Sequence, residues 1–118
     1  MHVGHLELPV RDPMASLAWY TDVLDFELEV NQGDTFIWLV CGGTTVMLRP
    51  SGEGRPVVSP DPDAAPNVVL YTTDLDATSK RLAGRGVELE RRDRCFHFRD
   101  PDGHWFQLVD PGDDHSGA

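Results

Sequence analysis

From Val3 to Val10 the chain alternates: Leu6, Leu8 and Val10 fall on one parity, His5, Glu7 and Pro9 on the other. Period-two alternation is the pattern of a strand with two different faces. Asp12-Pro13 then supplies an N-cap and a first helical residue whose fixed φ suits a helix start. Leu17, Tyr20, Val23 and Leu24 recur at three-to-four spacing, so a helix is predicted to about Leu24. Three strands follow, Phe26 to Val30, Thr35 to Cys41 and Thr44 to Arg49, joined by the turn signals Gln32-Gly33-Asp34 and Gly42-Gly43. The order is βαβββ.

That order recurs. Asn67 to Thr72 reads as a strand, and Asp74 caps a helix carrying Leu75, Thr78 and Leu82 that Gly84 or Gly86 closes in the left-handed conformation. Val87 to Glu90, Arg94 to Phe98 and His104 to Val109 follow as strands, the last introduced by the turn Asp100-Pro101-Asp102-Gly103. His5 with Asn67, Asp12 with Asp74, and Met47 with Gln107 keep a nearly constant separation, which is what a duplicated module leaves. The expected class is therefore α+β, two βαβββ modules within one domain spanning 1–118: module one 3–49, linker 50–66, module two 67–111 and tail 112–118. The linker holds prolines at 50, 56, 60, 62 and 66. Its length exceeds the ~12–15 residues usual for a structureless loop inside a domain, so it reads as an inter-module connection whose position also suits a lid.

Composition narrows the function classes. The 118 residues carry 20 Asp and Glu against 10 Lys and Arg, a formal charge of −10, and this field repels phosphate backbones and anionic headgroups. Nucleic acid and membrane are not expected partners. No apolar run approaches the ~20 residues of a spanning helix, and the first residues do not begin a signal peptide, so the expected compartment is the cytoplasm. Cys41 and Cys95 lie in apolar contexts without metal-like spacing and are expected as buried free thiols. Ser16, Ser51, Ser59 and Ser79 sit in helix or linker contexts, and no nucleophile elbow or glycine-rich phosphate loop occurs.

The segment from His5 to Asp12, the stretch from Ser16 to Leu24 and the closing Asp100-Pro101-Asp102-Gly103-His104-Trp105-Phe106-Gln107-Leu108 resemble the vicinal oxygen chelate superfamily, which contains glyoxalase I, extradiol dioxygenases and the fosfomycin- and bleomycin-resistance proteins. The resemblance covers residues 3 to 111. It implies paired modules whose curved sheets form a cleft, usually in a homodimer. Asp25 stands where the family commonly has Gly, and Asp tolerates the left-handed conformation needed there. Metal-dependent members place ligands, most often His, Glu, His and Glu, on the first and last strands of each module, and by position those places hold His5, Met47, Asn67 and Gln107. A divalent ion that polarises vicinal oxygens needs imidazole and carboxylate donors, so one imidazole, a thioether and two amides leave the metal site dismantled and no cofactor is expected. The alternative is a degenerate site around His5, Glu7 and Gln107, since Glu7 shares a strand face with His5.

By the same parity the face that the resemblance turns into a cleft carries His5, Glu7, Met47, Arg49, Asn67, Tyr71, Trp105 and Gln107, with Trp38 and Phe36 from the third strand. Val69, Val109 and Thr45 fall beside them. Trp19 and Tyr20 lie on the helix and read as core or interface. Apolar and aromatic walls with few polar groups are the make-up of a small-molecule site, and aromatic faces attract cations and stack on planar rings. The expectation is a metal-independent protein of the bleomycin-resistance type that sequesters an aromatic ligand, a cationic one being favoured by the acidic surface. The competing class is an enzyme: a glyoxalase-like metal-dependent lyase or isomerase, or a dioxygenase, at the degenerate site. A metal-free isomerase using the His5 and Glu7 pair as its base falls in the same class.

Overall fold

The structure is a computed structural model that describes residues 1–52 and 60–113. The chain divides into two compact units, Met1–Pro56 and Val57–Ala118. The expected connection 50–66 falls partly, and the expected tail largely, outside the described residues.

In the first unit, β1 (Leu6–Val10) is followed by α1 (Pro13–Asp22), β2 (Glu27–Gln32), β3 (Phe36–Cys41) and β4 (Thr44–Pro50). The strands form one sheet in the order β1-β4-β3-β2, with β1 parallel to β4 and the rest antiparallel. Asp12 caps α1 as its sequence requires: the carboxylate accepts from the backbone N–H groups of Met14 and Ala15 at 3.1 and 3.2 Å, and Pro13 is the first helical residue. The helix ends at Asp22, earlier than expected, and Asp25 at φ 60° turns the chain into β2. Gly33 and Asp34 at φ 60° and 59° make the β2–β3 turn, the paired left-handed geometry that matches the twist of a hairpin. Val10, Tyr20, Phe26, Ile37, Leu39 and Leu48 fill the core between α1 and the sheet.

Leu6 shares its parity with Leu8 and Val10, which places it on the helix side of the sheet, yet it is 38% exposed. The reason is reach. Ten residues make a helix of about 15 Å, and α1 packs on β4, β3 and β2, leaving the outer end of β1 uncovered. Strand β1 also begins three residues later than the alternation suggested, just beyond Gly4, which has no side chain to pack.

The second unit repeats the plan. It runs through a 3₁₀ turn at Pro62–Ala64, β5 (Val68–Tyr71), α2 (Leu75–Gly84), β6 (Glu90–Arg92), β7 (Cys95–Arg99) and β8 (Trp105–Val109), with sheet order β5-β8-β7-β6. Phe98 of β7 and Phe106 of β8 stack at 5.2 Å and are buried, as is Leu82 of α2. The strand expected at Val87 to Glu90 starts only at Glu90. Gly86 at φ 91° closes α2, and the Val87 N–H donates to the Leu82 carbonyl at 3.1 Å, so the first of those residues is committed to the helix end and not to a ladder. Each unit is thus a βαβββ module, and the chain is α+β.

Candidate functional site

Strand register decides which side chains share a face. In the first sheet Glu7 pairs with Met47 and Met47 with Trp38, and Trp38 pairs with Val30, so these four form a row on the side opposite α1. His5 and Thr45 extend that face at one end; Arg49, Phe36 and Gln32 extend it at the other. The His5 ring meets the Trp38 ring edge-on, with centroids 4.7 Å apart, and the Trp38 indole N–H donates to the Gln32 side-chain oxygen at 2.8 Å. The indole is held from two directions. A cavity of about 280 Å³ opens against it, lined by Gly4, His5, Glu29, Val30, Gln32, Trp38 and Thr45.

Beside the rings lies a charged chain. The His5 Nε2 and one oxygen of Glu7 are 2.9 Å apart, and the Arg49 Nε forms an ion pair with the other oxygen at 3.4 Å. Met47, only 7% exposed, lies between Glu7 and Trp38 in the row.

The second sheet has its own row, Val69, Gln107, His97 and Glu90, again on the face away from the helix. Gln107 donates through its side-chain nitrogen to the Asn67 carbonyl oxygen at 3.2 Å. Asn67 in turn donates to the backbone carbonyls of Pro62 and Ala65 at 2.8 and 2.9 Å. Asn67, one residue before β5, thus ties the 3₁₀ turn to the sheet. Trp105 is buried, with the Arg99 guanidinium 5.0 Å over its ring and His97 edge-on at 6.3 Å, whereas Tyr71 is 56% exposed. The expected lining residues therefore fall into two groups, His5, Glu7, Trp38, Met47 and Arg49 in one unit, and Asn67, Tyr71, Trp105 and Gln107 in the other.

Four residues of these faces were not read as lining in the sequence: Glu29, Val30, Gln32 and His97. Burial pushes the His97 imidazole below its ordinary value, with Arg92 adding to the effect against Glu90 and Asp63. The signal for His97 existed, because Phe96 and Phe98 on the core parity of β7 place it on the other. Burial also raises both thiols, Cys41 and Cys95, which are free and half-buried rather than fully buried, so neither is a thiolate near neutrality.

Among the described residues no three His, Cys, Asp or Glu side chains converge as a metal cluster, and no buried side-chain nitrogen or oxygen lacks a hydrogen-bond partner. Of the four family positions, His5 is engaged by Glu7, Asn67 and Gln107 by one another, and Met47 offers a thioether. The carboxylate nearest to His5 already shares its charge with Arg49. These donors do not fit a catalytic divalent ion.

The model of the Glyoxalase/Bleomycin resistance protein/Dioxygenase superfamily matches residues 2–108, and the chain belongs to that superfamily. Members of it often use metal ions. The chain is 29% identical over 112 residues to the glutathione transferase FosA of Serratia marcescens, covering 90% of this chain and 78% of that protein. It is 27% identical over 106 residues to the catechol-2,3-dioxygenase of Bacillus subtilis (strain 168), 84% of this chain but only 37% of that protein's length. Among solved structures it resembles TnmS3, an antibiotic binding protein from Streptomyces sp. CB03234, with a TM-score of 0.70, 24% identity and coverage of 93% of this chain and 98% of that one.

Proposed function

We propose that this protein binds a small aromatic molecule without a metal and without transforming it, in the manner of the bleomycin-resistance type. The observation that carries this reading is the fixed indole. Trp38 is held by Gln32 and by the edge of His5 beside a cavity of about 280 Å³, so a ring surface is presented with little side-chain freedom left to lose on binding. A planar ligand would stack on or meet that indole edge-on, Val30 adding apolar contact, with the His5–Glu7–Arg49 chain providing hydrogen-bonding groups at the rim. The fold it shares with TnmS3 accommodates antibiotic binding in that protein. A homodimer is part of the proposal.

Native mass spectrometry of the purified protein, before and after dialysis against a chelator, tests the reading. A small-molecule adduct that survives chelation is expected. An adduct that leaves together with a stoichiometric metal ion would overturn it and favour the competing function. That competitor is a metal-dependent lyase, isomerase or dioxygenase, and it draws its support from the likeness to FosA and to the dioxygenase.

A further inference from the structure

Strand β2 carries an irregularity whose effect falls on the cavity. Leu28 pairs with Leu39, but the next pair is Val30 with Trp38, so Glu29 is an extra residue without a cross-strand partner. Such a bulge re-aims the side chains on either side of it. In an unbroken ladder Glu29 would take the place opposite Trp38 and Val30 would turn to the helix side. Here Val30 takes that place, and Glu29 stands beside it on the cavity wall with Trp38, His5 and Gln32.

Two carboxylates therefore border the Trp38 face, and they differ in whether a neighbouring cation offsets their charge. Glu7 is paired with the Arg49 guanidinium and lies within hydrogen-bond distance of His5. Glu29 makes no ion pair or side-chain hydrogen bond among the described residues, and the cavity lining contains no Lys or Arg. We infer that Glu29 is the specificity-determining residue of this cavity and that it selects a ligand whose aromatic ring bears a cationic arm. The inference rests on the binding function proposed above. An ammonium or amidinium beside the ring gains both the carboxylate and the face of the indole. An anion of the same shape meets an uncompensated negative charge.

Three naphthalenes of matched shape test this: naphthylmethylamine, naphthylmethanol and naphthoate. Each is titrated into ¹⁵N-labelled protein while the Trp38 indole N–H resonance is followed, that resonance being assigned through Trp38→Phe. The amine is expected to bind about fivefold to tenfold more tightly than the alcohol, and the carboxylate more weakly than either. In Glu29→Gln the amine should fall to the alcohol's affinity while the alcohol is unchanged, which also shows that the variant is folded with its ring site intact. High salt should shrink the amine's advantage in the wild type and leave the variant unaffected. Equal affinity of amine and alcohol in the wild type, or an equal loss for all three probes in the variant, would overturn the role of Glu29 and leave the binding function standing. If none of the three moves the Trp38 resonance, the binding function itself falls, and the inference with it.

Discussion

At the scale of single residues, His97 makes the clearest pH prediction. Its imidazole is buried on β7 and held below the ordinary histidine value, chiefly by desolvation. The unfolded chain then binds a proton at a pH where the folded chain does not, so stability rises with pH between the lowered folded value and the ordinary one. The contribution is complete above about pH 6.5 and is lost as the pH falls through the folded value. Urea midpoints measured at about pH 7.5 and about pH 5 should fall further for the wild type than for His97→Gln; parallel losses would remove this account. The Glu7 cluster behaves differently because its members are 30–45% exposed. Glu7→Gln should cost less than about 1 kcal/mol in a denaturation experiment, since water already screens the pairs. Trp38 should carry a larger effect on binding than on folding. Trp38→Ala should weaken an aromatic probe by about tenfold, while Trp38→Phe, which keeps a ring and loses only the bond to Gln32, should retain most of the affinity.

At the scale of elements, local chemistry explains which parts of the fold could be read from the chain. The caps at Asp12 and Asp74 and the turn after Asp100 depend on side chains bonding to backbone a few residues away, so their sequence is their structure. Asp100 is the stronger case. It is 5% exposed and its Oδ1 accepts from the backbone N–H groups of Asp102 and His104 at 3.0 and 2.8 Å, with Gly103 at φ 95° completing the turn into β8. Asp100→Ala strands two buried donors and should cost about 2–3 kcal/mol, against about 1 kcal/mol for Asp12→Ala at an exposed cap; Asp100→Asn, which keeps an acceptor, should recover much of the loss. Chemical denaturation of the three variants orders them. What the chain did not disclose depends on pairings that the pattern of apolar and polar residues does not reveal. Glu27 to Asn31 alternates without a break, and only pairing with β3 reveals the bulge that brings Glu29 to the cavity. The late start of β6 follows from a hydrogen bond to the end of α2, which the apolar residues Val87 and Leu89 conceal. On the sheet face away from α1, parity was enough to group His5, Glu7, Met47 and Trp38, because β1, β3 and β4 are regular. The clasp between Asn67, Gln107 and the 3₁₀ turn was not legible, since nothing in an amide's position announces its partner.

At the scale of the whole molecule, the fold leaves function open and the side chains have to decide it. A transferase, a dioxygenase and an antibiotic binding protein all share sequence or architecture with this chain. This chain carries an excess of acid, 20 Asp and Glu against 10 Lys and Arg, and among the described residues no group of acids converges as an ion site. Such a charge acts on two equilibria in opposite senses. Like charges repel in the compact state, so screening them should raise stability, and the unfolding midpoint should rise as sodium chloride is added up to about physiological strength. The same field draws a cationic ligand toward the protein, and screening should slow its association and weaken its binding. A bound structural cation would break this opposition. Chelation would then lower the midpoint sharply, by the free energy of binding to the folded state alone, and added zinc, nickel or manganese would restore it. Thermal unfolding with and without chelator across a salt series distinguishes the two cases: the expected result is a midpoint that follows ionic strength and ignores both chelator and added metal, while affinity for naphthylmethylamine declines over the same series.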